Sequence, residues 1–340
     1  MSRQSGTAAP VGPARPGFFS TRIRPALTLE IALQSGAALV VIYVGLLVAF
    51  TIASPVFLTG SNLLNITASV ATLGIVAAVQ TAVIISGGFD LSVGATAAFT
   101  SVVVAEMLGA GMPAPLAIAG ALVVGAVIGA VNSFVITWLN VNPLIATLGM
   151  MSIVRGAALV WTDALTVVYP ADQLAYLGRA RIGGVQVSIL FMLLTFVVVW
   201  AVLRHTVLGR FVFAVGGNPK AAFLSGIRVN RVRTVVYVAS GLSAALAGLV
   251  VASQLIAGSP QAAGGLELSA VTAAVLGGAS LSGGQGRVWM TLVGALIMGT
   301  LTNGLVLMDI SSFWQMTVLG VVLILAVALD QVRTRTRGTA

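Results

Sequence analysis

Long apolar runs recur along this chain, and they limit its fold more than any other feature of the sequence. The runs extend over about 20 residues, the length that a helix needs to cross the hydrocarbon core of a bilayer. Only 7% of the 340 residues are charged, whereas a soluble domain carries roughly a quarter. With so few charges, most of the surface must face lipid or other apolar helices.

The apolar runs predict helices instead of a β-barrel. Backbone groups find no water in the bilayer core, so a spanning segment must be a helix or a strand of a closed barrel. Barrel strands would alternate in hydrophobicity over about ten residues, and these runs are longer and uniformly apolar. We therefore predict an all-α polytopic membrane protein of about ten transmembrane helices in two pseudo-repeated halves. The spans are expected near residues 31–53, 65–86, 91–110, 114–138, 142–162, 187–203, 234–256, 266–282, 288–308 and 312–331.

The basic residues predict the orientation. An even number of spans places both termini on one side, and the positive-inside rule makes that side cytoplasmic. The connection 204–233 is basic without any acidic residue and falls on the same side, whereas Glu267 is expected at the outer edge. We divide the chain into a disordered cytoplasmic segment (1–29), a transmembrane domain (30–331) with the cytoplasmic loop 204–233, and a cytoplasmic tail (332–340).

Charge and residue types exclude several classes of function. The net charge of +9 does not indicate nucleic-acid binding, because the basic residues lie between apolar spans instead of forming one solvated face. The chain contains no cysteine, so disulfides and thiol chemistry are excluded. The only histidine, His205, cannot form a multi-histidine metal centre. We predict no cofactor and no metal.

An internal echo links the two halves of the chain. Residues 85–94, I-S-G-G-F-D-L-S-V-G, resemble residues 275–284, V-L-G-G-A-S-L-S-G-G. Broken helices at matching positions of two repeats often line the pathway of a transporter, although Gly-Gly pairs also form ordinary turns. We predict a role in the pathway or in a conformational break for Gly87, Gly88, Asp90, Ser92, Gly94, Gly277, Gly278 and Ser280.

Two charged residues within the apolar region are notable. A carboxyl group beside a membrane segment is costly and indicates a functional site by default. Asp90, between Gly88 and Gly94, fits this description, but Asp90 or Ser92 is an equally good N-cap for the next helix. Arg155 falls in the middle of a predicted span, so we expect it to face the bundle interior and to pair with a group that the sequence does not identify.

The basic loop 204–233 is predicted to contain a short helix. Asn218 is expected to cap it, with Pro219 at the first helical position, and Gly226 is expected to end it. A helix of Ala, Phe and Leu on the cytoplasmic face suits a groove in a partner protein. An amphipathic helix on lipid headgroups is the alternative, and it is weaker because the basic residues do not line one face.

The sequence also contains a misleading signature. Leu281-Ser282-Gly283-Gly284-Gln285 spells the signature pentapeptide of ATP-binding-cassette (ABC) ATPases. No G-x-x-x-x-G-K-[ST] phosphate loop is present in the sequence, and the pentapeptide falls between two predicted spans. We therefore predict that the chain has no ATPase site of its own.

These segments resemble the permease subunits of ribose-, xylose- and arabinose-type ABC importers. Residues 87–94 resemble the family's G-G-[IF]-D-L-S-V-G, and residues 216–227 resemble its cytoplasmic G-G-N-x-x-A-A-x-x-S-G-I. Residues 277–286 are similar to G-G-[AT]-S-[IL]-x-G-G-x-G, which accounts for the pentapeptide. Residues 142–149 are similar to P-F-I-x-T-L-G, with Leu144 in place of the usual Phe.

The resemblance implies a multi-pass permease of the cell inner membrane that imports a monosaccharide. It implies three protein partners: a cytoplasmic ABC ATPase that hydrolyses the ATP, a second permease copy, identical or not, and an extracytoplasmic sugar-binding protein. The residues expected to couple to the ATPase are Gly216, Gly217, Asn218, Lys220, Ala221, Ala222, Leu224, Ser225 and Gly226. The few polar residues within the spans that are candidates to contact a sugar hydroxyl are Asn65, Gln80, Asn132 and Asn303.

Three alternatives stay open at this point. Branched-chain amino-acid permeases share the architecture, although the G-G-x-D-L-S-V-G form favours sugars. An ion-coupled secondary transporter would carry intramembrane acids or carbonyl-rich breaks for the ion, and Asp90 alone is weak support. A membrane transferase would carry clustered acids or a metal site, and the sequence shows neither.

Overall fold

The structure, a computed structural model, describes residues 37–170 and 173–338. The segment predicted at 1–29 lies outside the described residues. The helices are α1 (Ala37–Ala53), α2 (Gly60–Ile85), α3 (Val93–Gly109), α4 (Ala114–Thr137), α5 (Pro143–Trp161), α6 (Ala175–Gly178), α7 (Val187–His205), α8 (Val207–Gly217), α9 (Pro219–Leu224), α10 (Val229–Leu255), α11 (Leu266–Leu276), α12 (Val288–Leu307) and α13 (Ser312–Gly338). The strands are β1 (Val167–Val168), β2 (Arg181–Ile182), β3 (Val185–Gln186) and β4 (Ala257–Gly258).

The predicted fold class is confirmed: the chain is an all-α, multi-pass membrane protein. Of the helices that the structure describes, six are long and apolar enough to cross a membrane, namely α2, α4, α5, α7, α10 and α12. Shorter apolar helices are α1, α3, α8, α11 and the part of α13 from Ser312 to Ala328. Each predicted span overlaps one of these helices.

The predicted span at 266–282 is wrong in length. Helix α11 has 11 residues, about 16 Å at 1.5 Å per residue, which is roughly half of the hydrocarbon core. It ends at Leu276 because Gly278 adopts a positive φ of 87°. The preceding segment folds back along α3, where a Cβ atom at Gly94 would stand 2.9 Å from the Ala263 carbonyl oxygen. Glu267 of α11 lies over Gly94 of α3.

Helix α10 forms the centre of the bundle and packs against α2, α3 and α4. Helix α2 is mostly apolar and is buried along most of its length. Helices α4 and α10 approach closely through small residues, as membrane helices commonly do. A Cβ atom at Gly129 would stand 2.9 Å from the Cα atom of Val238, so only glycine fits there.

Residues 163–170 and 173–186, which lie between α5 and α7, fold onto the end of α10. Strand β1 pairs antiparallel with β4, and β2 and β3 form a hairpin. The Tyr169 hydroxyl donates to the Ala252 carbonyl oxygen at 2.8 Å. Burial raises the pKa of Tyr169 to about 12, so the phenol keeps the proton that it donates. The Ser253 hydroxyl accepts from the Gly178 backbone nitrogen at 2.8 Å.

The connection 204–233, predicted as a loop with one short helix, is mostly helical. Helix α8 was not predicted; Thr206 caps it by accepting from the Gly209 backbone nitrogen at 3.2 Å. Helix α9 follows, and α10 begins at Val229, before the predicted start of that span at residue 234. At the other end of the chain, α13 runs into the predicted tail as far as Gly338.

Candidate functional site

The two segments of the internal echo end their helices in the same way. After α2, Gly87 has a φ of 78°, and the Gly88 nitrogen donates to the Val83 carbonyl oxygen at 3.0 Å. After α11, Gly278 has a φ of 87°, and the next nitrogen donates to the Ala274 carbonyl oxygen, also at 3.0 Å. This is the Schellman ending, in which a left-handed residue closes the last turn. The echo in the sequence therefore corresponds to a shared backbone structure.

A side-chain turn follows each helix end. The Asp90 carboxyl accepts from the Ser92 nitrogen at 3.0 Å, and the Ser280 hydroxyl accepts from the Ser282 nitrogen at 3.4 Å. Asp90 and Ser280 therefore correspond, as the echo predicts. The second break has one residue fewer between its left-handed glycine and its turn. We call the two segments break 1 (residues 86–92) and break 2 (residues 277–287).

Asp90 lies at the centre of a buried polar group that we call the Asp90 cluster: Asp90, Ser92, Asn132 and Ser240. Its Oδ1 atom accepts from the Ser92 hydroxyl at 2.6 Å, and its Oδ2 atom accepts from the Ser240 hydroxyl of α10 at 2.7 Å. Asn132 of α4 donates to the Ser92 hydroxyl at 2.8 Å. The cluster thus fastens break 1 to α4 and α10.

Ser92 occupies the N-cap position of α3, one of the two predicted alternatives, but capping does not account for Asp90. Helix α3 begins at Val93, and its N-cap Ser92 makes no side-chain capping hydrogen bond. Only 1% of Asp90 is exposed, and its contacts with α10 and α4 are ones that a capping side chain does not need. Tyr237 adds a further contact from α10, since its hydroxyl donates to the Phe89 carbonyl oxygen at 3.1 Å.

Glycines bring both breaks and the end of α8 into backbone contact, in what we call the glycine junction. The Gly284 nitrogen donates to the Ile85 carbonyl oxygen at 2.8 Å. A Cβ atom at Gly216 would overlap that same oxygen and stand 2.7 Å from the Gly284 nitrogen. A Cβ atom at Gly283 would stand 3.1 Å from the Cα atom of Gly87. Side chains at these positions would push the three segments apart.

The pentapeptide at 281–285 belongs to break 2. The Ser280 nitrogen donates to the Gln285 carbonyl oxygen at 3.0 Å, which closes the turn. The Leu281 nitrogen donates to the Asp330 carboxyl of α13 at 3.2 Å. The pentapeptide is therefore a turn between two apolar helices, with Gly283 and Gly284 in the glycine junction.

The predicted short helix is confirmed as α9. The Asn218 side chain accepts from the Ala221 nitrogen at 3.0 Å, Pro219 takes the first turn, and Gly226 follows the helix with a φ of 83°. Two residues separate Gly216 of the junction from the first residue of α9. A displacement of α9 would thus reach both breaks over a very short stretch of chain.

The face predicted to meet a partner needs one correction. Ala222 is 5% exposed and packs against the bundle, so it is not available for docking. Lys220, Ala221 and Ser225 are exposed, and Leu224 is 84% exposed. Phe223, which the prediction omitted, is 69% exposed. The outward face of α9 is therefore apolar at its C-terminal end.

The four polar residues predicted to contact a sugar do not lie together. Asn65 is exposed, and Asn132 belongs to the Asp90 cluster. Asn303 and Asn62 exchange side-chain hydrogen bonds at 3.0 Å. Gln80 is fully buried, and among the described residues neither of its amide atoms has a hydrogen-bond partner. Buried polar atoms are nearly always paired, so Gln80 stands out within the four.

Arg155 points inward, as predicted. Its Nε and Nη2 atoms are buried and make no hydrogen bond within the described part of the chain. The Oε2 atom of Glu267 is also buried and makes no hydrogen bond within the described residues. Ser240 and Tyr237 also belong to the site. They were not predicted, because a serine or tyrosine in a long apolar helix has no local signature.

Known proteins match this chain over most of its length. The family described as "Branched-chain amino acid transport system / permease component" matches residues 62–327. The ribose import permease protein of Escherichia coli (strain K12) is 43% identical over 281 residues, which cover 82% of this chain and 88% of that protein. The ribose import permease protein of Bacillus subtilis (strain 168) is 43% identical over 288 residues, covering 84% and 89%.

A third relative extends the comparison to another sugar. The L-arabinose ABC transporter permease protein of Azospirillum brasilense is 36% identical over 301 residues, which cover 88% of this chain and 89% of that protein. No solved structure matches the chain. Both breaks, the Asp90 cluster and α9 lie within the matched residues 62–327. The chain therefore belongs to the permease family of ABC importers, and its sequence is similar to the sugar permeases of that family.

Proposed function

We propose that this chain is the transmembrane permease of an ATP-driven importer that translocates a monosaccharide. The observation that carries the proposal is the 43% identity to ribose import permeases over more than four fifths of the chain. Relatives named for L-arabinose and D-allose support the same substrate class. The family description mentions branched-chain amino acids, but these individual relatives are all named for sugars.

The proposed assembly has four parts. A second permease copy, identical or not, completes the pathway, and a cytoplasmic ABC ATPase hydrolyses the ATP. An extracytoplasmic sugar-binding protein delivers the substrate to the end of the bundle that carries residues 163–186. About ten helices span the cell inner membrane with both termini in the cytoplasm, an arrangement that the basic connection 204–233 favours.

In the proposed mechanism, α9 transmits the motion of the ATPase into the bundle. Its outward face, with Phe223 and Leu224, rests in a groove of the ATPase. Movement of α9 shifts the chain at Gly216 and Gly217, and the glycine junction passes that shift to both breaks. The Asp90 cluster anchors break 1 to α4 and α10, so α2 and α3 move together with these helices. Packed backbones suit this task because they rearrange between discrete positions and do not deform gradually.

The proposed pathway needs little affinity of its own for the sugar. Hydrogen bonds to sugar hydroxyls require polar side chains, and the helices contain few. Gln80 is the strongest of the proposed contacts because its amide is buried without a protein partner among the described residues. Specificity would then reside mainly in the binding protein.

The test is uptake into proteoliposomes that contain the permease, its ATPase and its binding protein. Radiolabelled ribose, L-arabinose, D-allose and leucine are compared, with ATP enclosed and with or without a protonophore. We expect uptake of at least one of the sugars that requires ATP and the binding protein and that survives collapse of the proton gradient. Uptake of leucine alone would support the amino-acid alternative, and uptake that stops with the protonophore while ATP is present would support ion coupling.

A further inference from the structure

A cleft of about 620 Å³ lies where α7, α8 and the start of α12 meet. Its lining combines two kinds of side chain. Three arginines, Arg204, Arg210 and Arg287, face it together with the indole rings of Trp200 and Trp289. We call it the arginine cleft.

The positive charge of the arginine cleft is not balanced by any acidic residue in its lining. All three arginines are exposed, and within the part of the chain that the structure describes their guanidinium groups make no hydrogen bond to another residue. Like charges that gather without compensation attract an anion, and guanidinium groups bind phosphate oxygens through paired N–H donors.

The remainder of the lining is largely apolar, and most of it belongs to the membrane-spanning helices α7 and α12, with Phe213 of α8 and Gly286 of break 2 completing it. Trp200 of α7 and Trp289 of α12 lie with their ring centroids 6.3 Å apart and are 38% and 37% exposed. Leu203 and Val288 form the buried floor between them. Tryptophan is enriched at the level of the lipid headgroups, where one end of the ring is apolar and the other is wet.

We propose that the arginine cleft binds an anionic phospholipid. The phosphate interacts with the three guanidinium groups, and an acyl chain lies along the indole rings between α7 and α12. Basic pockets between membrane helices are known to hold anionic headgroups. The juxtaposition of unpaired arginines with an apolar wall fits a lipid better than a soluble anion, which would leave the wall uncovered. Because Arg287 ends break 2, a bound lipid would also steady that segment.

Tryptophan quenching by lipids with brominated acyl chains tests this proposal directly. Trp138, Trp161 and Trp314 are changed to Phe so that, of the five tryptophans in the chain, Trp200 and Trp289 remain. The protein is placed in phosphatidylcholine nanodiscs that contain increasing fractions of brominated phosphatidylglycerol or brominated phosphatidylcholine. We expect phosphatidylglycerol to quench at a clearly lower fraction, since each basic residue near an anionic headgroup contributes roughly a five-fold preference.

Two arginine variants distinguish the cleft from general surface charge. Changing all three cleft arginines, R204Q, R210Q and R287Q, is expected to abolish the preference. The control R228Q, R231Q and R233Q removes the same charge elsewhere in the basic connection and is expected to keep it. R287Q alone should weaken the preference by roughly five-fold, which guards against misfolding of the triple variant. Equal quenching by the two lipids, no quenching by either, or an equal loss in the control would overturn the proposal.

Discussion

Asp90 is held by donors from three separate parts of the chain. Ser92 is its near neighbour, Ser240 lies on α10, and Asn132 of α4 donates to the Asp90 carboxyl at 3.5 Å as well as to the Ser92 hydroxyl. Hydrogen bonds of this kind position a side chain, and they also position the backbone that carries it. Since a buried acceptor that loses its donors is costly, the cluster resists any displacement of break 1 relative to α4 and α10.

Removal of the Asp90 carboxyl should loosen break 1. Asp90→Ala leaves the Ser92 and Ser240 hydroxyls without their acceptor, at a cost of about 1–3 kcal/mol for each buried group left unpaired. We expect a lower thermal midpoint in detergent together with reduced uptake. Asp90→Asn keeps an acceptor and should lose less in both measurements. Wild-type midpoint and uptake in Asp90→Ala would show that the cluster has no such role.

A second pair of variants isolates the contact with α10. Ser240→Ala removes a donor to Asp90 and is expected to destabilise the protein by about 1 kcal/mol and to reduce uptake. Ser243 lies one turn further along the same helix. Its hydroxyl donates to the Ser240 carbonyl oxygen and not to Asp90. Ser243→Ala is therefore the matched control for the loss of a buried serine. Equal effects of the two substitutions on uptake would assign the result to α10 itself.

Local features of single residues were predictable from the sequence, whereas contacts between distant residues were not. The Asn218 cap and the Gly226 stop were predictable because the cap, the proline and the glycine lie within nine residues of one another. The hydrogen bond from Ser240 to Asp90 was not predictable, because the two residues lie 150 positions apart in the sequence. Ala222 was assigned to the wrong face because a helix of six residues has too few apolar positions to indicate which side is buried.

At the scale of elements, the glycine junction is the contact that joins the two breaks to α8. Close backbone contact is possible only without side chains, and Gly216 lies against both Ile85 and Gly284. Gly217, the next residue, has nothing within 4 Å of a Cβ atom. Adjacent glycines with such different surroundings offer a test of the junction.

Gly216→Ala should separate the segments of the glycine junction. Its methyl group would overlap the Ile85 carbonyl oxygen and weaken the bond from the Gly284 nitrogen, and overpacking of this kind costs about 1–3 kcal/mol. We expect a lower thermal midpoint and a lower ATP-driven uptake. Gly217→Ala is expected to keep the wild-type midpoint. If Gly216→Ala has the same midpoint and uptake as wild type, the junction does not link α8 to the breaks.

The outward face of α9 is tested by a change of polarity. Leu224→Asp should not affect the bundle, since the side chain is 84% exposed, but it should prevent docking in an apolar groove. We expect loss of ATPase co-purification and of ATP-driven uptake at an unchanged thermal midpoint. Leu139→Asp is the control: it is 60% exposed and lies near the same end of the bundle, where Asn230 donates to the Thr137 carbonyl oxygen. Full ATPase binding by Leu224→Asp would instead favour contact of α9 with lipid.

Helix existence was easier to predict than helix length. The apolar runs reveal a helix wherever they occur, because backbone groups in lipid must be paired within the segment. The length of α11 depends on Gly265 and Gly278, whose left-handed conformations bound it, and on packing against α3. The same apolar run would suit a full span, so only the tertiary contacts distinguish the two.

At the scale of the whole molecule, charge and polarity separate the two ends of the bundle. The connection 204–233 carries basic residues, α9 and the arginine cleft. The connection 163–186 forms a compact cap of short strands on the end of α10. A protein with such different ends suits partners of different kinds on the two sides of the membrane, which is what the proposed ATPase and binding protein require.

Labelling of single cysteines would establish which end faces the cytoplasm. The chain contains no cysteine, so the wild type is already the unlabelled control. Lys220→Cys on α9 and Ile182→Cys in the β2–β3 hairpin introduce thiols at exposed positions. In intact cells a membrane-impermeant maleimide is expected to label Ile182→Cys alone, and after permeabilisation it should label both, because the positive-inside rule places the basic end in the cytoplasm. Labelling of Lys220→Cys in intact cells would place α9 outside, where it could not meet an ATPase, and the proposed coupling mechanism would then be wrong.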